Sequence, residues 1–412
     1  VNNLNYVIIG NSAAAIGCIE GIRQIDKEGK ITIISNEAHH TYSRPLISYL
    51  LKGKTDINKM KYRPDSFYED NNVKTILGHS VSKINKDTKK VVLDNNIEVS
   101  YDKLMIASGS SPFIPPILGL ETVKNKFTFM TLDDELALEK SLNENSRVLI
   151  IGAGLIGLKC AEGLHKKVAK ITVLDLANRI LPSILDEAGS EIMKNHIEGE
   201  GVEFILDDSI FKLSVDKAIL KSGKTIDFDV LVLAVGVRAN TKLIVDIGGD
   251  VGKGIKTDEY LKTSIEDIYS AGDCTESWDI TANENRVLAL LPNAYMQGEC
   301  AGINMAGGEK PYKNAIPMNA IGFFGLHIIT AGTYDGDEYI VKNDKSYKKL
   351  VTKDNLLKGY ILIENIARAG IYTSLIREKI PLDTIDFELI KDKPQLMAFN
   401  KNDRKEKLGG AK

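Results

Sequence analysis

An α/β chain with two nucleotide-type βαβ units, followed by a smaller α+β domain, is what this sequence predicts, and three observations predict it. Two stretches far apart in the chain share one grammar: an apolar run, a turn of small residues, a helix and a second apolar run. Further apolar runs without polar alternation follow each stretch, as strands covered by helices on both faces require. Beyond residue 320 the texture changes to short strands separated by tight turns. The 412 residues suffice for two to three domains, each with its own core. A composition of 43% hydrophobic and 26% charged residues, with 34 Gly and 11 Pro, excludes disordered, collagen-like and disulfide-knot chains.

The first stretch runs from Tyr6 to Gly10, through Asn11 and Ser12 to Ala13, Ala14 and Ala15, then a helical pattern through Cys18 and Ile22, then Ile31 to Ile34. The second runs from Val148 to Ile151, through Gly152, Ala153 and Gly154 to Leu155, Ile156 and Gly157, then a helix to about Leu164, then Ile171 to Asp175. Each reads as a Rossmann-like βαβ unit. Strands at Leu104–Ala107 and Val230–Ala234 follow, with Gly109 and Gly236 at the turns behind them. A third such strand, Ile268–Ala271 before Gly272 and Asp273, comes after the second unit has ended and is expected to return to the first domain. The expected division is a discontinuous first domain, 1–112 with 245–322, an inserted domain, 113–244, and a C-terminal α+β domain, 323–412. In the last, Gly325–Thr330, Glu338–Val341, Lys348–Thr352 and Lys358–Ile363 read as strands, Asp335-Gly336 as a turn, and the residues after Lys391 as a frayed basic tail.

The second turn is the stronger nucleotide signal. In G-x-G-x-x-G, Gly152 makes the tight turn, Gly154 lets a pyrophosphate approach the backbone, and Gly157 lets helix and strand pack closely; the phosphates then sit at the helix N-terminus. Asp175 ends the next strand, where a carboxylate accepts hydrogen bonds from the ribose hydroxyls and repels a 2′-phosphate, favouring NADH over NADPH. Gly152, Gly154, Leu155, Ile156, Asp175 and Gly236 are therefore the candidate NAD contacts. The first turn has Ser12 at the second Gly position and Ala15 at the third. Ser35 stands opposite Asp175, and Glu37 is the nearest acid. Alone, this turn leaves open a unit without ligand.

The segment Gly254–Thr257 with Thr263–Asp273 resembles the second FAD signature of the two-dinucleotide-binding flavoprotein reductases. With Tyr101–Pro112 and Asp229–Asn240, five motifs stand in the order of the pyridine nucleotide-disulfide oxidoreductase superfamily, from residue 4 to about 305. Tyr42-Ser43-Arg44-Pro45-Leu46 is similar to a segment of its NADH:rubredoxin oxidoreductases, its ferredoxin reductases and the flavin module of NADH-nitrite reductase. The resemblance implies FAD at Gly10, Ser12, Ala13, Ala14, Ala15, Glu37, Arg44, Pro45, Ala107, Ser108, Gly109, Gly272 and Asp273. It also implies a helix opening at Pro292, with Ala294 and Gln297, aimed at the flavin pyrimidine, where a helix N-terminus favours negative charge.

Disulfide reductases of this superfamily carry a C-x-x-x-x-C pair near residues 40 to 50, and their peroxide- and coenzyme A-linked relatives a single Cys. Residues 39–51 of this chain contain no thiol. Cys18 and Cys160 lie on helices and read as small buried residues, and Cys274 as structural or an incidental neighbour of FAD. A dithiol relay is therefore not expected. His39 and His40 lack a third ligand at sensible spacing, so no metal is expected. Two departures stand out: Lys159 replaces a Glu that in many relatives lies near the nicotinamide, and Tyr49 replaces a Lys common in the ferredoxin reductases. No catalytic residue is assigned; Lys159 is a candidate nicotinamide neighbour.

The expected function is an FAD-dependent NADH oxidoreductase that passes electrons, without a redox disulfide, to a small redox protein such as rubredoxin, ferredoxin or another iron-sulfur protein. Alternatives are an NADH-dependent donor component for nitrite reduction, an NADH oxidase and, from another class, an NADH-sensing flavoprotein scaffold. A net charge of −3, from 53 basic and 56 acidic residues, points to neither nucleic acid nor an anionic membrane. Four cysteines without zinc spacing, no membrane-length apolar run and a first strand near residue 1 lead to the expectation of a cytoplasmic protein without signal peptide, as a monomer or homodimer.

Overall fold

A computed structural model describes residues 4–313 and 315–399. Its helices are α1 (Ala13–Ile25), α2 (Ile47–Leu51), α3 (Phe67–Asp70), α4 (Leu132–Lys140), α5 (Leu155–Leu164), α6 (Glu187–Gly199), α7 (Lys242–Val245), α8 (Leu291–Met305), α9 (Ala369–Arg377) and α10 (Phe387–Asp392). The first sheet orders its five strands 268–270, 103–106, 5–9, 30–35 and 73–77, all parallel. The second orders 202–205, 170–174, 147–151, 230–233 and 126–127, also all parallel. Strand 268–270 thus lies against 103–106, with Ile268 opposite Leu104, although the whole second sheet intervenes in sequence. The central strands are buried on both faces, Ile8 and Leu149 completely, which is why their sequences lack polar alternation.

The third sheet is antiparallel, in the order 318–323, 326–332, 356–363, 347–353 and 337–342. Its first strand begins five residues before the start expected at residue 323. Phe324 and Gly325 both take positive φ, 50° and 91°, and close a tight hairpin that recruits Met318–Phe323 into the sheet. The segment carries polar Asn319 and a glycine, so its strand signal is faint in sequence. Two antiparallel three-stranded layers, 81–85/90–93/98–100 and 210–213/217–220/225–227, also went unanticipated. Their strands are half exposed, and exposed apolar residues such as Phe211 and Ile219 blur the period-2 pattern. The tail beyond Phe399 lies outside the described residues.

Helices α1 and α8 touch backbone to backbone. A Cβ on Gly298 would come within 1.9 Å of the Ala14 carbonyl oxygen, and one on Gly302 within 2.2 Å of that of Cys18. Gly17 and Gly21 return the contact from α1, at 2.3 Å from the carbonyl oxygens of Tyr295 and Glu299. This pairing sets the start of α8 beside the start of α1. One apolar cluster joins Ile47 and Leu51 of α2, the core of the second unit, and Phe323, Ile328 and Ile361 of the third. Among the described residues no helix is long and apolar enough to cross a membrane.

Candidate functional site: two dinucleotide turns and their surroundings

The two turns repeat each other bond for bond. Gly10 donates its amide to Ile34 and Gly152 to Leu174, both at 2.8 Å; Ala107 donates to Ile9 and Ala234 to Ile151, again at 2.8 Å. Gly10 and Gly152 have φ of 116° and 113°, and a Cβ would strike the carbonyl oxygen of Ala107 at 2.1 Å or of Ala234 at 2.2 Å. Only glycine meets both demands. In the second turn a Cβ on Gly157 would lie 2.0 Å from the Gly152 oxygen, whereas one on Gly154 would meet nothing within 4 Å. The first position is pressed by protein and the second faces open space at the start of α5. That is the shape a diphosphate needs, and the residues present fit one.

Asp175 braces the second turn: its carboxylate accepts from Ala153 N at 2.6 Å and from Ala177 N at 2.8 Å. Gly236, with positive φ and no nearby atom facing its Cβ position, stands at the end of strand 230–233. Leu155 and Ile156, on the first turn of α5, are half-buried against the shared apolar cluster.

Around the first turn the structure gathers Ser12, Ala13, Ala14 and Ala15 with residues from the far end of the chain. A Cβ on Gly272 would lie 3.1 Å from that of Ala14 and 3.7 Å from that of Ala294. Gln297, buried on α8, accepts from Gly272 N at 2.7 Å. Ser110 Oγ donates to Asp273 Oδ2 at 3.5 Å, the one side-chain hydrogen bond of Asp273 among the described residues; burial pushes its carboxyl up against the pull of Arg44. A carboxylate so poorly partnered fits hydroxyl donors of a bound FAD. Gly109 has φ of 64° and open space at its Cβ position. Ser108 and Gly109 are tied to Asn240: Ser108 Oγ donates to Asn240 O at 2.9 Å, Asn240 Nδ2 to Ser108 O at 2.8 Å, and Asn240 N to Gly109 O at 2.9 Å.

Glu37 is held by two neighbours. Arg44 Nη2 donates to its Oε1 and the Tyr42 hydroxyl to its Oε2 at 2.5 Å. Burial works against the Arg44 charge, and Glu37 outweighs it. Tyr42 OH also accepts Leu132 N at 2.9 Å and Arg44 Nη1 donates to Met130 O at 3.2 Å, so the group grips the start of α4. Pro45 opens the short turn Arg44–Leu46 that leads into α2. His39 is bonded to Asp133 at 2.7 Å, and no group of three metal-ligating side chains occurs among the described residues.

Lys159 lies on α5, two residues after Gly157. Its ammonium meets Glu162 Oε2 at 2.6 Å and the Gly322 carbonyl at 2.7 Å, and sits over the rings of Tyr49 and Phe323. Sequence reasoning missed Tyr42, Asn240 and Glu162 as participants. Their long-range contacts, Tyr42 to Leu132, Asn240 to Ser108 and Glu162 to Lys52, carry no signal in sequence, although the i, i+3 spacing of Lys159 and Glu162 allows their pairing. All four cysteines are unpaired and buried; burial pushes the Cys18 and Cys160 thiols up, and that of Cys300 to about 11.

Comparison with known proteins agrees with this geometry. The chain is 29% identical over 395 residues to the NADH-dependent phenylglyoxylate dehydrogenase subunit epsilon of Aromatoleum evansii, covering 93% of each. It is 30% identical to the nitrite reductase [NAD(P)H] of Bacillus subtilis (strain 168), matching 90% of this chain but 47% of that protein, so it spans about half the length of that relative. Among solved structures, NADH:rubredoxin oxidoreductase from Clostridium acetobutylicum aligns with a TM-score of 0.77 at 24% identity, covering 93% of this chain and 97% of the other. The model of the pyridine nucleotide-disulphide oxidoreductase family matches residues 4–298. The chain belongs to that family of oxidoreductases, whose cofactors are FAD and NADH.

Proposed function

We propose that this chain takes reducing equivalents from NADH onto FAD and hands them to a small redox protein, rubredoxin or an iron-sulfur protein, with no thiol in between. The absence of cysteine from residues 39–51 carries this reading, since that is the segment where a redox thiol would stand. The four thiols present are buried elsewhere, and those of Cys18, Cys160 and Cys300 are pushed up, which disfavours the reactive thiolate. FAD, when bound, supplies the conversion of a two-electron donor into single-electron release.

The residues of the chain then bind, orient and shield. The first domain, 1–112 with 245–322, holds FAD through Gly10, Ser12 and Ala13–Ala15 at the diphosphate, Glu37 as the acid after the second strand, Arg44 and Pro45 beside the isoalloxazine or the diphosphate, and Asp273 at the hydroxylated chain and diphosphate. Ala107, beside Gly10, and Ser108 and Gly109 after it add further FAD contacts, while Gly272, Ala294 and Gln297 present the start of α8. The inserted domain, 113–244, holds NADH through Gly152, Gly154, Leu155, Ile156 and Gly236, with Asp175 selecting the free ribose. The C-terminal domain covers the junction between them. Unpaired cysteines suit a reducing, cytoplasmic setting.

Anaerobic addition of NADH to the FAD-loaded protein is expected to bleach the flavin spectrum, and rubredoxin or ferredoxin to restore it. A variant with all four cysteines replaced by Ser or Ala should turn over as fast as the parent. No bleaching, or turnover lost with the thiols while FAD is retained, would sink the reading. The likeness to a dehydrogenase subunit and to half of a nitrite reductase favours a second reading, in which the acceptor is the redox centre of a larger enzyme. Reoxidation by such an enzyme but not by rubredoxin or ferredoxin would select it.

A further inference from the structure

The departure at Lys159 has a structural counterpart. Lys159 Nζ lies 2.6 Å from Glu162 Oε2, 2.7 Å from Gly322 O, 5.2 Å from the centre of the Tyr49 ring and 5.3 Å from that of Phe323. Glu162 turns its other oxygen to Lys52 Nζ at 3.1 Å. The Lys159 and Glu162 side chains are 14% and 13% exposed, so solvent screens the pair little. Burial alone would raise the Glu162 carboxyl; Lys159 and Lys52 together hold it below its ordinary value.

An ammonium has three N–H donors. Two are engaged by Glu162 and Gly322, and the remaining one is enclosed between two aromatic faces, which attract it. The same few residues join three parts of the molecule. Tyr49 and Lys52 belong to α2 and its end, directly after Arg44 and Pro45. Lys159 and Glu162 belong to α5, whose first turn carries the second dinucleotide motif. Gly322 and Phe323 end the first strand of the C-terminal sheet. Beside them Gly163 lets α2 approach α5, since a Cβ there would lie 2.9 Å from the Leu51 side chain.

We propose that Lys159 is a positioning residue that fastens α2, α5 and strand 318–323 in one register. The inference rests on the proposed reaction, in which α5 presents NADH to a flavin held in part by the segment before α2. A misplacement of about 1 Å between reacting groups can cost roughly 100-fold in rate, so a tie at this junction acts on the transfer step more than on binding.

The test compares Lys159→Met, Lys159→Arg, Glu162→Gln and the Met/Gln double variant in the full FAD-loaded chain by anaerobic stopped flow, with hydrogen exchange of residues 318–323 measured on the FAD-free proteins. Lys159→Met and Glu162→Gln are each expected to slow the limiting rate of flavin bleaching by about 10-fold while NADH affinity stays within about twofold. The double variant should lose no more than either alone, Lys159→Arg should recover part of the rate, and exchange at 318–323 should quicken. A tenfold loss of NADH affinity in Lys159→Met but not in Glu162→Gln would overturn the proposal and make Lys159 a nicotinamide contact. Unchanged rate and exchange in both variants would overturn it as well. If Lys159→Met fails to fold, Lys159→Arg and Glu162→Gln carry the comparison. If NADH fails to bleach the parent, the reaction is misread, while the exchange arm still reports on the tie.

Discussion

Asp175 braces the second turn and, in the proposed reaction, selects the free ribose of NADH. Each carboxylate oxygen accepts one backbone amide, from Ala153 and Ala177, which leaves further lone pairs for the two hydroxyls of an adenosine ribose. Asp175→Ala should weaken NADH binding by about 10-fold, in line with 1–2 kcal/mol for losing hydrogen bonds to a charged acceptor, and should weaken NADPH binding less because the repulsion of its phosphate also disappears. Titration of both nucleotides into the FAD-loaded variant checks this; equal losses for the two would remove the ribose role. A second residue speaks to stability alone. Glu135 on α4 is fully buried, neither carboxylate oxygen has a hydrogen-bond partner among the described residues, and burial, with Glu139 adding to it, raises its pKa from 4.5 to about 7. A carboxyl with a raised folded pKa holds its proton more tightly in the folded state. Stability is therefore full below pH 4.5 and falls as the pH rises towards 7, by up to about 3 kcal/mol for that shift. Glu135→Gln should abolish this loss, so its melting temperature at pH 8 should exceed that of the parent, with the difference shrinking near pH 5. A constant difference at both pH values would show that Glu135 is ionised throughout.

At the scale of elements, the pairing of α1 with α8 is the contact on which the flavin end of the first domain depends. Gly298 sits where a methyl group would lie 1.9 Å from a backbone oxygen that cannot swing aside. Gly298→Ala should therefore part the helices by about 1 Å or more, cost about 3 kcal/mol or more, and loosen FAD because Gln297 and Ala294 move with α8. Melting curves of the FAD-free variant and FAD retention on gel filtration measure the two effects separately. The same pairing marks the limit of what the sequence makes legible. The βαβ units, the returning strand 268–270 and four strands of the last sheet follow from apolar runs and punctuating glycines, which are local signals. Gly17, Gly21, Gly298 and Gly302 are visible as residues, but nothing nearby in sequence says that they face one another across nearly 300 positions. Strand 318–323 is hidden for a different reason: its place in the sheet comes from a hairpin held by positive φ at Phe324, which a bulky residue seldom adopts and sequence patterns do not announce. The candidate site divides likewise. Gly152, Gly154 and Asp175 are read from spacing, while Tyr42 and Asn240 enter through contacts that only the assembled sheets create.

For the molecule as a whole, the decisive question is how the C-terminal sheet is attached, and the answer lies at Asp186. This residue caps α6, accepting Gly189 N at 3.0 Å, and its other oxygen receives the Tyr347 hydroxyl at 2.7 Å and Lys349 Nζ at 3.2 Å from the third sheet. Lys349 is 7% exposed and also meets Glu338 at 2.5 Å, so the lysine shares its charge between two acids, one of them in the second unit. Tyr334 adds a bond to the Ile184 carbonyl at 3.0 Å. Burial would raise the Asp186 carboxyl, but Tyr347, Gly189 and Lys349 hold it below its ordinary value of 3.8. A depressed folded pKa contributes stability that is present above the unfolded value and is lost as the pH falls through the folded one. The attachment should therefore be insensitive to pH from 5 upward and weaken below about pH 4. Asp186→Ala removes a helix cap worth about 1 kcal/mol and leaves a buried lysine with one partner fewer, for a combined loss of about 3–5 kcal/mol. Lys349→Met, which keeps the packing and removes the charge, should cost less, and adding it to Asp186→Ala should cost little more, because the buried cation left with Glu338 alone is then gone. Chemical denaturation of the four proteins closes that cycle. Additive losses would mean that the two side chains do not act as a pair, and that the apolar cluster through Phe323, Ile328 and Ile361, with bonds such as that of Tyr334, holds the sheet.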